Sequence, residues 1–105
     1  MTARALSFEL AAMEPPQVIS CLSALAHPAR LRAVTLLLSE PEGLPAGEIA
    51  RRLEVAQNTM SAHLKTLASA GLIKGTRHGK VISYEANADH LRRLASEFER
   101  LLTRT

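Results

Sequence analysis

The 105-residue sequence has no tryptophan, a single cysteine and only 3% aromatic residues. With so few aromatics, the core is expected to consist of Leu, Ile, Val, Ala and Met side chains. The lone Cys21 excludes an intramolecular disulfide and a zinc site built from several thiolates. No apolar run approaches the ~18 residues that cross a bilayer, and the first residues do not have the pattern of a signal peptide. We therefore expect a cytoplasmic chain with no membrane partner.

The sequence also lacks the patterns that enzymes use. It contains no Gly-rich phosphate loop, no paired carboxylates at a plausible spacing and no Ser/His/Asp set with a structural rationale. We therefore expect neither an enzyme nor a bound cofactor.

Basic residues are concentrated in the middle of the chain. Residues 46–85 carry six basic and three acidic side chains, whereas residues 1–45 carry three basic and four acidic ones. This distribution suits contact with a polyanion. The length fits one small domain over residues 1–105.

Apolar residues recur at helical spacing through most of the chain. The predicted helices cover residues 16–26, 28–38, 46–55 and 57–70, and the pattern of residues 4–13 is compatible with a further short helix that is not counted in the fold. The helix over 28–38 is expected to bury Leu31, Val34, Leu37 and Leu38.

In the helix over 57–70, Met60, Leu64 and Leu67 form one stripe, and Gly71 ends the helix with a positive φ. The stretches LIKGTR and KVISYEA then predict a β-hairpin with His78-Gly79 at its tip. Asp89 is expected to cap a last helix that runs to the C-terminus. The fold class is therefore mostly α with a small β-hairpin, in the order α-α-α-α-β-β-α.

Two short helices joined by a tight turn and followed by a basic ribbon, here residues 46–86, are typical of a winged helix-turn-helix. In that fold the second helix, the recognition helix, enters the major groove of DNA. Opposite Met60, the recognition helix carries small and polar residues: Asn58, Ala62, Lys65 and Ser69, flanked by Thr59, Ser61 and Thr66. The hairpin tip, 77–80, is cationic and suits a phosphate backbone.

The same segments resemble the ArsR family of bacterial winged-helix repressors. The resemblance is carried by LSALAHPARLRAVTLLL, AGEIARRLEVAQNTMSAHLKTLASAGLI and TRHGKVISYEAN, and it covers about residues 18–88 without a break. Residues 58–65 follow the NTxSxHLK pattern of one subgroup. The resemblance implies a homodimer that binds an imperfect palindrome in double-stranded DNA and is released from it by an effector.

The resemblance also assigns roles to individual residues. The DNA-facing residues of the recognition helix are Gln57, Asn58, Thr59, Ser61, Ala62 and Lys65, and the wing contacts are Arg77, His78 and Lys80. His63 is expected to pack or to contact a phosphate. Ala56 stands where many members have a capping serine, so the recognition helix is expected to start frayed or differently capped.

Terminal helices build the dimer interface in such proteins, here within residues 1–26 and 88–105. The matching candidates are Val18, Ile19, Leu22, Leu25, Leu91, Leu94, Phe98 and Leu101. Their apolar stripes agree with this role independently. A two-fold dimer would set two recognition helices about 34 Å apart, facing successive major grooves.

The sequence does not identify an effector. Relatives that sense metals or arsenicals use cysteine pairs or Asp/His ligands, but residues 47–53 hold no cysteine and the C-terminus has no paired thiols. Asp89 and His90 are adjacent and face different directions, so we expect no metal site. The four histidines (His27, His63, His78 and His90) share no ligand spacing and are expected to have unrelated roles.

Two alternatives stay open at this stage. Cys21 is expected to be a small buried hydrophobe, but it could instead make the protein redox-responsive through an intersubunit disulfide. The fold could also serve as a module that docks protein rather than DNA. Such a module should expose apolar residues on the recognition face, which instead shows Asn58, Ser61 and Lys65.

Overall fold

The computed structural model describes residues 12–103, in which five helices and three strands follow one another. The helices are α1 (Pro15–Leu25), α2 (Pro28–Leu38), α3 (Ala46–Leu53), α4 (Gln57–Ser69) and α5 (Ala88–Leu102). The strands are β1 (Leu44–Pro45), β2 (Ile73–His78) and β3 (Val81–Ala86). The predicted order of helices and hairpin is confirmed, while most of the further short helix compatible with the pattern of residues 4–13 lies outside the described residues.

The sheet is antiparallel and has the strand order β1-β3-β2. Its register pairs His78 with Val81, so the turn consists of Gly79 and Lys80 and begins one residue later than predicted. Gly79 adopts a φ of 65°, which a two-residue hairpin turn requires. The short strand β1 is absent from the prediction, because it forms only through pairing of Leu44 with the distant Tyr84.

The core is mainly aliphatic, as the composition predicts, but it also includes the aromatic ring of Tyr84, which is 6% exposed, and the thiol of Cys21. Met60, Leu64 and Leu67 of α4 are fully buried, which confirms the stripe read from their spacing. In α2, however, Leu31 and Leu38 are 53% and 51% exposed, so the prediction that they are buried was wrong.

The geometry of α2 explains this error. The helix buries Ala33, Val34 and Leu37. At about 100° per residue, Leu31 and Leu38 lie roughly 100° around the helix from the centre of that buried face. The apolar residues of α2 therefore occupy more of its circumference than the core covers.

The helix ends show one agreement and one correction. Gly71 follows α4 with a φ of 82°, as predicted. At α5 the capping residue is Asn87, whose Oδ1 accepts a hydrogen bond from the backbone N–H of His90 at 3.2 Å. The prediction of Asp89 as the cap was wrong, because this residue lies inside the first turn and pairs with Arg93 at 3.2 Å.

The terminal helices α1 and α5 pack together in the fold. Leu94 of α5, assigned above to a dimer interface, is only 6% exposed and belongs to the core of the protomer. Among residues 12–103, no helix is long and apolar enough to cross a membrane.

Candidate nucleic-acid interface

The recognition helix α4 presents its polar side to solvent because its apolar stripe is anchored in the core. Gln57, Asn58, Thr59, Ala62 and Lys65 are exposed, and Ser61 is half-buried. The sequence-derived helix wheel therefore identified the outward face correctly.

A tight turn sets the position of α4 relative to α3. Glu54 adopts a left-handed conformation with a φ of 57° and ends α3. The N–H of Val55 then donates to the carbonyl oxygen of Ala50 at 3.0 Å. Ala56 is the N-cap residue of α4 and makes no side-chain hydrogen bond, and the helix begins at the next residue, Gln57.

An ion-pair network stabilises α3. The Glu48 carboxylate accepts hydrogen bonds from Arg51 and Arg52, which lower the pKa of Glu48 to about 2. Arg52 also pairs with Glu40 at 3.1 Å, which ties α3 to the loop before β1. These two arginines are therefore neutralised by carboxylates of the protein itself.

Two clefts separate α4 from the hairpin, and together they collect five of the ten predicted DNA-binding residues. In the first cleft, Gln57, Ser61 and Lys65 of α4 face Lys80 of the turn. In the second, Lys65 and Ser69 face Arg77 of β2. Lys65 borders both clefts.

The positive charges that line these clefts are not neutralised by carboxylates of residues 12–103. Within residues 12–103, Lys65, Arg77 and Lys80 form no ion pair, in contrast to Arg51 and Arg52. All three are exposed. A surface with polar hydrogen-bonding groups and uncompensated cations suits a polyanionic partner.

His78 does not join this group. It lines a depression with Glu42 and Glu85, on the opposite face of the hairpin from Arg77. The reason is the two-residue period of a strand, which sends adjacent side chains to opposite faces. The predicted wing contacts thus divide between two faces.

A cluster that sequence reasoning missed lies on the other side of α4. Nε of Arg30 in α2 donates to Nδ1 of His63 at 3.1 Å, and the rings of His27 and His63 lie 4.4 Å apart. Burial and, to a lesser degree, the neighbouring His27 and Arg30 lower the pKa of His63. Nothing in the sequence indicated this contact, because His27 and His63 belong to different elements and share no ligand spacing.

Cys21 and His90 form a second unforeseen contact. Nε2 of His90 lies 3.0 Å from the carbonyl oxygen of Ala70 and 3.6 Å from Sγ of Cys21. The Cys21 thiol is fully buried and donates to the same carbonyl oxygen at 3.5 Å. Burial also raises the pKa of this thiol, which disfavours the reactive thiolate. An intersubunit disulfide would require this packing to open.

The described part of the chain offers no metal centre. No group of three or more His, Cys, Asp or Glu side chains in residues 12–103 is arranged to hold a metal ion. Asp89 and His90 point to different partners, Arg93 and Ala70 respectively.

The sequence is similar to known helix-turn-helix proteins. A helix-turn-helix domain family matches residues 25–76. The HTH-type transcriptional regulator NmtR of Mycobacterium tuberculosis is 37% identical over 81 residues, which make up 77% of this chain and 66% of that protein. The biofilm growth-associated repressor of Agrobacterium fabrum is 39% identical over 79 residues, or 74% of this chain and 65% of the repressor. The chain thus spans slightly less than two thirds of the length of these relatives.

Solved structures agree with the winged helix-turn-helix architecture. An ArsR-like transcriptional regulator from Rhodococcus sp. RHA1 has a TM-score of 0.71 at 28% identity, covering 82% of this chain and 79% of that one. The homodimeric winged helix-turn-helix DNA-binding domain of a possible ArsR-family regulator from Mycobacterium bovis has a TM-score of 0.65 at 27% identity, with coverages of 86% and 85%. These similarities confirm the predicted fold, and the similar proteins are named as regulators rather than enzymes.

Proposed function

The chain belongs to the ArsR family of winged helix-turn-helix regulators, and we propose that it is a dimeric transcriptional repressor that binds a palindromic operator in double-stranded DNA. The observation that carries this proposal is the convergence of the polar face of α4 with Lys65, Arg77 and Lys80 on two adjacent clefts. Such a surface has the chemistry of a groove-reading helix flanked by phosphate contacts.

The residues divide by chemistry into two groups. Gln57 and Asn58 carry amides that can pair with base edges in the major groove, and the small Ala62 lets the helix approach the bases closely. Lys65, Arg77 and Lys80 contact phosphates, which position the protein without reading sequence.

Exposed apolar side chains support a dimer through α1 and α5. Ile19 and Leu22 of α1 are 66% and 40% exposed, and Phe98 and Leu101 of α5 are 43% and 59% exposed. An apolar surface on two neighbouring helices is costly in water and is typical of a protein interface. The similar structure from Mycobacterium bovis is homodimeric. A two-fold axis through this surface would present two copies of α4 to successive major grooves.

A module that docks protein is the competing function. Its recognition face should be apolar, whereas the exposed residues of α4 include Asn58, Thr59 and Lys65. The salt dependence of binding separates the two functions, because phosphate contacts release counterions and apolar contacts do not.

The experiment that tests the proposal is selection of bound sequences from a random duplex pool by the purified protein. We expect a two-fold symmetric consensus, with an affinity that falls steeply between about 50 and 200 mM salt. Recovery of no sequence above the starting pool, or binding that does not respond to salt, would contradict the proposal.

Two variants then test the division of roles on the selected duplex. Asn58→Ala should relax discrimination at one base position by about 1–3 kcal/mol, because it removes a base contact. Lys80→Ala should weaken binding to selected and random duplexes equally, because it removes a phosphate contact. Equal losses on both duplexes for both variants would show that the assignment of Asn58 is incorrect.

A further inference from the structure

The contacts of Arg30, His27 and His63 give this cluster the chemistry of an anion site. Nδ1 of His63 accepts from Arg30 at 3.1 Å, and Nδ1 of His27 accepts from the N–H of Ala29 at 3.2 Å. Because each Nδ1 accepts, each neutral ring carries its proton on Nε2. The remaining ring nitrogen of each histidine is therefore an N–H donor.

No acid balances this cluster in the described part of the chain. Arg30 forms no ion pair there, and the influences on the pKa of His63 are burial and two basic neighbours, with no carboxylate among them. Arg30 and His63 are half-buried and His27 is exposed, so the cluster opens to solvent. An anion brought to it would find hydrogen-bond donors and a fixed positive charge.

The cluster and the wing lie on opposite flanks of α4. Ser61 and Lys65 line the clefts toward the hairpin, whereas His63 contacts α2. At about 100° per residue, Ala62 lies between these two flanks and faces outward. The outward face of α4 is thus bordered by Lys80 on one side and by Arg30 on the other.

The dimensions of DNA require phosphates on both flanks of such a helix. A helix is about 10–12 Å across with its side chains and the major groove is about 12 Å wide, so a helix in the groove has one sugar-phosphate strand on each side. We propose that Arg30, supported by His27 and His63, binds the phosphate strand opposite the one that the wing binds. This inference rests on the proposed function and adds a second, previously unassigned backbone contact to it.

The test compares three variants on a duplex obtained by the selection described above. Arg30→Gln removes the charge, Arg30→Lys keeps the charge but not the Nε–H bond to His63, and Arg32→Gln removes an exposed charge from the same helix as a matched control. With one Arg30 in each of two copies, Arg30→Gln should reduce the slope of log K against log[salt] by about 1.8. Arg30→Lys should keep most of the slope, and Arg32→Gln should leave it unchanged. Selected and random duplexes should lose affinity equally.

A second measurement uses the unmodified protein and does not depend on the folding of a variant. Neutral methylphosphonates are placed at single positions along each strand of the selected duplex. The protein should lose affinity at positions on both sides of each contacted major groove. The positions on the wing side should become less sensitive in Lys80→Ala, in which Lys65 and Arg77 remain, and those on the other side should become insensitive in Arg30→Gln.

The outcomes separate the two proposals. If the protein binds no duplex, the proposed function fails. If it binds a symmetric duplex but methylphosphonates weaken binding on the wing side alone, or Arg30→Gln matches Arg32→Gln, the second contact is refuted while the proposed function stands. If Arg30→Lys reduces the slope of log K against log[salt] as much as Arg30→Gln does, the charge at position 30 is not what binds the phosphate. Arg30 would then only orient His63, and the phosphate contact is again refuted.

Discussion

The proposed dimer makes a quantitative prediction for Ile19→Ala. Ile19 lies on α1 and is 66% exposed in the protomer, so most of its side chain is available to a partner. Leu31 of α2 is similarly exposed, at 53%, but lies outside the proposed interface. Leu31→Ala is therefore the matched control, since it removes a comparable amount of exposed apolar surface.

The expected magnitude follows from the buried apolar groups. Ile19→Ala deletes three carbon groups, each contributing about 0.8 kcal/mol when fully buried. Scaled by the 66% that remains exposed in the protomer, the loss is about 1.6 kcal/mol for each copy. A two-fold interface contains the residue twice, so the dimer should be weakened by about 3 kcal/mol, or roughly 100-fold in its dissociation constant.

Sedimentation equilibrium over a dilution series measures this constant directly. We expect the midpoint of dissociation to shift to roughly 100-fold higher protein concentration for Ile19→Ala and to stay in place for Leu31→Ala. Circular dichroism should show the same helix content in both variants. Equal shifts in the two variants, or no shift in Ile19→Ala, would refute the assignment of α1 to the interface.

Three further predictions concern stability and reactivity. Ala56→Ser should raise the stability of the protein by about 1 kcal/mol, measured by urea denaturation, because it supplies the side-chain cap that α4 lacks. Because burial and its basic neighbours lower the pKa of His63 below 6.5, its neutral form contributes stability that is complete above pH 6.5 and lost as the pH falls through the lowered pKa. The urea midpoint should therefore fall with acidification in this window, and His63→Gln should reduce that fall. Cys21 should react with a disulfide reagent far more slowly in the native protein than in the urea-unfolded chain, and oxidant should change DNA affinity equally little in the wild type and in Cys21→Ser.

Features encoded in short stretches were predictable from the sequence. The stripe of Met60, Leu64 and Leu67 repeats at helical spacing, and the positive φ of Gly71 follows from its place after a helix. The outward face of α4 follows directly from that stripe. The placement of Arg77 and His78 on opposite faces of the hairpin also depends only on the local sequence, because adjacent side chains of a strand alternate between its two faces.

Features that depend on distant contacts were not predictable. The strand at Leu44 exists only through Tyr84, and the cluster on the α2 side of α4 joins Arg30 to His63 across 33 positions. Likewise, nothing near Cys21 in the sequence indicates His90, which is 69 positions away. Single-sequence periodicity records which residues are apolar, but it does not record which neighbour covers them, and for that reason Leu31 was misassigned.

The carbonyl oxygen of Ala70, just beyond α4, connects the helix that is proposed to read DNA with the two helices that are proposed to form the dimer interface. It accepts from Cys21 of α1 and lies 3.0 Å from Nε2 of His90 in α5. The C-terminal end of α4 therefore contacts α1 and α5, the two helices through which the copies are proposed to form a dimer. In an assembled pair, a change in the angle between those elements would be transmitted to the distance between the two reading helices, and so to the fit against successive turns of the duplex.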